Sequence, residues 1–205
     1  MKTPTAGPLL TLLCAVNLFG QLSPDMVTAI DKAVQQTMQE KKLVSASIAV
    51  VQRGALAYSH AYGLARLEGN VPATPQMRYK IGSNSKQITA TAMLLLAGDG
   101  RISLDDRVSK YFPGLTRAGE ISIRQLLSHT SGYEDYYPLD YVTPEMARPT
   151  TPQAILQKWA AKPLNFDPGT QWQYSNTNYV IAGAILEKVT GKPLIDFVRQ
   201  RILSK

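Results

Sequence analysis

Residues 77–113 read MRYKIGSNSKQITATAMLLLAGDGRISLDDRVSKYFP, and the placement of Ser83 and Lys86 within them governs how the rest of the chain is understood. A turn-rich connection, EGNVPATPQ, precedes them at 68–76. From Ser83 to Ala97 the apolar residues Ile88, Ala92, Leu95 and Leu96 keep helical spacing, and Gly98-Asp99-Gly100 closes the run. A helix begun at Ser83 sets Lys86 on the same face, with the two Cβ atoms about 5 to 6 Å apart. The amine then reaches the hydroxyl. As a bare string Ser-x-x-Lys is weak, since average usage yields one in a chain of this size about once by accident. The chemistry is more demanding. A serine hydroxyl attacks a carbonyl only when a base takes its proton, and a lysine serves only in its neutral form. Moving an ordinary lysine from about 10.4 to near 7 requires roughly 4 to 5 kcal/mol. Burial and the positive end of a helix dipole act in that direction, and a helix start also aims N–H groups at a forming oxyanion.

A second base eases the demand on one lysine. Tyr174-Ser175-Asn176, the one Tyr-x-Asn in the chain, lies in FDPGTQWQYSNTNY at 166–179, where Pro168-Gly169 makes a turn and the following residues begin a helix. A tyrosine beside a cationic lysine can shuttle a proton, and the Asn176 amide can hold the lysine or a substrate carbonyl. His129 opens a different possibility, a Ser-His arrangement with Asp105 or Asp106 as third member. His60 falls in a strand-like run and reads as structural. The tyrosines of GYEDYYPLDY (132–141) suit either a substrate entrance or loop packing.

Working outward, Ser23-Pro24-Asp25 is a helix start, and Val27, Ile30, Val34 and Met38 continue at helical spacing to Lys41. SASIAVVQRG and ALAYSHAYG meet at Arg53-Gly54 and predict a hairpin over 45–63. Beyond Gly100 the pattern is helical and loop-rich: ISIRQLLSH behind Ser122, TPQAILQKWA with Pro at its first turn, NTNYVIAGAILEKVTG ending on Gly191, and a last helix from Pro193. No strand-like run follows the hairpin, an odd arrangement for a lone sheet, since two strands are marginal by themselves.

The 205 residues, 44% hydrophobic and 18% charged, are enough for a sizeable core. A charge of +7 is spread along the chain with no basic run longer than Lys41-Lys42, which argues against a nucleic-acid partner. Residues 1–20 form a signal peptide pattern, with Lys2 as the only charge and an apolar core PLLTLLCAVNLF at 8–19 that is too short to span a bilayer. The expected product is an exported, periplasmic or extracellular domain over 21–205, with no stable membrane span. Cys14 is the sole cysteine and leaves with the leader, so neither a thiol nor a disulfide is expected in that product. With two histidines in all, a histidine-rich metal site is not expected.

Three blocks in order carry a resemblance. Residues 77–113 resemble the nucleophile helix and following Leu-Asp-Asp segment of the class C serine β-lactamases, with the related D-alanyl-D-alanine carboxypeptidases and esterases. ISIRQLLSHTSG (121–132) resembles that family's downstream helix and loop, and PGTQWQYSNTNYVIAGAILEKVTG (168–191) its Tyr-x-Asn block. The likeness runs from about residue 42 to 203. It implies an α/β (α+β) β-lactamase/transpeptidase-like fold, a helical lobe packed on an antiparallel sheet, with Ser83 as acylated nucleophile, Lys86 as its base partner, Tyr174 as second general base and Asn176 as a substrate-positioning amide. It implies no metal or cofactor, and a small-molecule or peptidoglycan-peptide substrate: a β-lactam, a stem peptide or an ester. Oligomeric state is left open. The family's third motif, Lys or His then Thr or Ser and Gly on a later strand, has no match after Asn176, because Thr190-Gly191 follows Val189 and His129-Thr130-Ser131-Gly132 comes too early. The resemblance therefore implies the N-terminal part of a longer domain, its later strands outside this chain. A non-catalytic, ligand-binding remnant is the alternative.

Overall fold

The computed structural model describes residues 22–137, 144 and 148–204, so the leader-like segment 1–20 and part of the tyrosine-rich loop lie outside it. The chain divides between Lys80 and Ile81 into two compact units.

The first unit begins with helix α1, Pro24–Lys41, in which the Ser23 hydroxyl accepts from the Met26 N–H and Lys42 ends the helix in the left-handed region. Val27, Ile30, Val34 and Met38 are its half-buried stripe, as their spacing predicts. Strands β1, Ser45–Gln52, and β2, Ala55–Arg66, pair antiparallel, with Gln52 opposite Ala55. The turn residues Arg53 and Gly54 have φ of 52° and 79°, the two positive values that a tight hairpin connection needs. On one face of β2, Tyr58 and Tyr62 both donate to Asp31 of α1, which holds helix to sheet. His60 stands between them with its ring edge-on to Tyr62, a packing position. The sequence pattern missed one element: β3, Val71–Pro72, pairs with the end of β2 and makes the order β1-β2-β3. Two residues inside a turn-rich connection carry no alternation to detect.

The second unit is helical. A 3₁₀ turn at Gly82–Asn84 leads into α2, Ser85–Gly98, so Ser83 sits just ahead of the α-helix rather than in its first turn. Then come α3, Ile123–Leu127, α4, Pro152–Trp159, α5, Asn176–Thr190, and α6, Leu194–Val198, which runs into a π turn at Arg199–Leu203. Helix α5 packs against α2, α3, α4 and α6. It is buried from Ile181 to Leu186 without a break, which is why its amphipathic signal is weak. Its side chains Ile181, Ile185 and Leu186 meet Met93 and Leu96 of α2 and Ile123 and Leu126 of α3 in one core, all at 0% exposure. Helices with a three-stranded antiparallel sheet make this an α/β chain. Among the described residues no helix is long and apolar enough to cross a membrane.

Candidate active site

The core fixes the starts of α2 and α5 side by side. The residues at and just ahead of these starts bring together four side chains from positions some ninety apart in sequence. The Ser83 and Tyr174 hydroxyls share a hydrogen bond at 2.5 Å. Lys86 Nζ donates to Ser83 Oγ at 3.2 Å and to Asn176 Oδ1 at 2.6 Å, and it lies 4.8 Å from the centre of the Tyr174 ring. All four residues singled out from sequence are thus in one cluster. The Ser83 oxygen accepts from Lys86, and in its bond with Tyr174 either hydroxyl can be the donor. Ser83 is exposed, while Lys86, Tyr174 and Asn176 are half-buried. Beside them opens a cavity of about 620 Å³, lined by Ser83, Lys86 and Asn176 together with Tyr179, Val180 and Ala184 of α5.

His129 is close by but not as a base for Ser83. Its ring stacks on Tyr174 with centroids 4.6 Å apart, and its Nδ1 accepts from the Ser175 backbone N–H at 3.1 Å. Burial, reinforced by the nearby Lys86 charge and opposed by Asp135, holds this imidazole below its usual range. Asp105 pairs with Arg124, and Asp106 accepts from Lys110, Tyr111 and the Ser103 N–H, so neither aspartate completes a serine–histidine triad.

Asp135 is the residue that sequence reasoning passed over. Helix α5 has no capping bond from its own N-cap residue, Ser175. The cap comes from the 131–136 loop instead: Asp135 Oδ1 accepts from the Asn176 backbone N–H at 2.9 Å, and Asp135 Oδ2 from Asn176 Nδ2 at 3.0 Å. A carboxylate at a helix N-terminus is favourable for the dipole as well as for the bond. Around it Thr177 donates to the Glu134 carbonyl, the Tyr136 N–H donates to Thr177, and Ser131 donates to Asn178. Gly132, at φ 88°, lets the loop pass so close to Phe166 that a Cβ there would lie 2.4 Å from its carbonyl oxygen. The only available signal was an acidic residue between tyrosines, and 41 positions separate it from its partner.

Comparison with known proteins bears on the family and the fold. A family model described as Beta-lactamase matches residues 30–205. The chain belongs to the beta-lactamase family. Among its relatives, penicillin-binding protein 4* of Bacillus subtilis (strain 168) is 30% identical over 82% of this chain and 37% of its own length. Protein flp of Staphylococcus aureus (strain N315) is 34% identical over 87% and 36%. Among solved structures, D-amino acid amidase from Ochrobactrum anthropi SV3 in complex with L-phenylalanine amide superposes with a TM-score of 0.74 at 30% identity, covering 88% of this chain and 51% of that one. An octameric penicillin-binding protein homologue from Pyrococcus abyssi gives 0.70 at 29%, covering 87% and 42%. The chain spans little more than a third of those two curated relatives and about half of the amidase.

Proposed function

We propose that this beta-lactamase family chain is a serine hydrolase that works through an acyl-enzyme on an amide, β-lactam or ester carbonyl. The observation that carries the reading is the placement of Ser83 Oγ within hydrogen-bond reach of both Tyr174 Oη and Lys86 Nζ. Ser83 Oγ bonds to the carbonyl carbon as its proton passes to Tyr174, which accepts it as the phenolate or by handing its own proton to a neutral Lys86. The tetrahedral intermediate collapses, the carbon–leaving-group bond breaks, and the departing amine or alcohol takes that proton. Water then adds to the ester as one of its protons passes to the Tyr174–Lys86 pair, the serine–carbon bond breaks, and that proton returns to Ser83 Oγ. Asn176 orients Lys86 and the substrate carbonyl. The relatives' names favour two substrate classes, penicillin-type lactams and D-amino acid amides.

Residues 1–20 are proposed as an export leader and 21–205 as the exported chain. N-terminal sequencing of protein recovered from a secreting host should begin near Gln21; retention of Met1 would remove the leader. For the catalytic reading, intact mass is measured after exposure to a penicillin, a p-nitrophenyl ester and a D-amino acid amide. An acyl adduct is expected on wild type with at least one reagent and on Ser83→Ala with none. A wild-type chain that gains no mass with any of them, or a Ser83→Ala chain that still does, overturns it.

A further inference from the structure

A primary amide has an acceptor end and a donor end of nearly the same shape, and half a turn about its last bond exchanges them. Asn176 must present its oxygen to Lys86. Turned the other way, it would set an NH₂ group against the amine in place of the present 2.6 Å bond, donor facing donor whenever Lys86 carries its proton. The same rotation would bring the amide oxygen onto Asp135 Oδ2, where Nδ2 now donates at 3.0 Å, acceptor facing acceptor. One rotation would thus turn two attractive contacts into two repulsive ones.

We propose that Asp135 is a positioning residue of the acyl-transfer site: it locks the Asn176 amide with Oδ1 on Lys86 and leaves one Nδ2 hydrogen to meet a substrate carbonyl. The two carboxylate oxygens divide the work. Oδ1 takes the Asn176 backbone N–H, which caps α5, and also accepts from the Tyr137 N–H at 3.0 Å, structural tasks that one oxygen fulfils. Oδ2 is not needed for the cap and is spent wholly on the side-chain amide. The carboxylate is itself held by its neighbours, since Glu134, Tyr136 and Ser131 are each bonded to Thr177 or Asn178, one and two residues beyond the first residue of α5. The kinetic half of this inference rests on the acyl-transfer reading; the geometric half does not.

Asp135→Asn separates the two jobs, because its remaining oxygen can still cap the helix while its NH₂ cannot accept from Asn176. In the ¹⁵N-labelled full chain, the Asn176 side-chain amide protons should exchange at least about tenfold faster in Asp135→Asn than in wild type, with the Asn176 backbone N–H still protected. Acylation by a p-nitrophenyl ester should slow by about 10- to 100-fold with KM nearly unchanged, the size expected of a misplaced positioning group. In an Asn176→Ala background the same substitution should change the rate by less than about twofold, since residues acting through one another are not additive. Equal side-chain exchange in wild type and variant overturns the proposal, as does an undiminished acylation rate in Asp135→Asn or an equal loss in the Asn176→Ala background. A wild-type chain with the slow-exchanging amide but no acyl adduct keeps the lock and removes the acyl-transfer reading.

Discussion

At Tyr174 the phenol is held by what lies behind it. The His129 ring covers one face, and its Nδ1 fixes the next peptide. That bond needs the unprotonated nitrogen. The folded chain holds His129 below the value near 6.5 that it has when unfolded, so the unfolded chain binds the proton more readily. The stabilisation is therefore complete above about pH 6.5 and is lost as pH falls through the lower folded value. Urea midpoints at pH 7, 6 and 5 should fall for wild type and stay flatter for His129→Gln; parallel slopes would mean that the imidazole takes no part. Gly132→Ala should destabilise the loop by roughly 1 to 3 kcal/mol, the range for a forced backbone conformation, read as a lower thermal midpoint. The sequence marked His129 as a candidate base, yet its real contacts are aromatic rings and a backbone N–H that no spacing rule connects to it.

Among the elements, helices that carry their own caps were the ones a reader of the sequence could bound. Ser23, Ser122 and Thr151 each accept from the first turn of the helix that they precede, and Ser122 with Gln125 forms a full capping box. Ser122→Ala should cost about 1 kcal/mol in chemical denaturation, and a cost near zero would show that α3 is held by packing alone. Helix α5 differs. Its apolar run and its closing Gly191 were visible, but its cap arrives from Asp135 across the fold. Strand β3 failed to announce itself for a related reason, since two residues have no period and owe their strand geometry to β2.

Across the whole chain, acid should act through several carboxylates at once. Hydrogen bonds from Tyr62 and Tyr58 hold Asp31 below the ordinary carboxylate range, and Arg201 and Arg117 do the same for Asp99 and Glu120. Folded values below the unfolded ones give stabilisation that is present above about pH 4 and is lost as pH falls through the folded values. Protonating the 15 acidic residues of a chain already at +7 adds self-repulsion to that loss. Stability measured between pH 6 and pH 3 should fall steeply, and added salt should recover part of it at pH 3; no recovery would assign the loss to the individual bonds alone. At this scale the family was readable because three blocks kept their order, and the four clustered residues were readable because two of those blocks hold them. The contacts that orient the cluster were not, because each is made by a residue whose type is ordinary and whose partner lies over forty positions away.

The serine and lysine leave the ribosome about ninety residues before the phenol and the amide that complete their surroundings. A nascent or misfolded polypeptide holding only the earlier pair has an inert alcohol, so on the proposed chemistry a covalent penicillin or ester tag would mark molecules whose two helix starts have docked. Counting tagged against untagged chains would then serve as a folding assay with the protein as its own reporter.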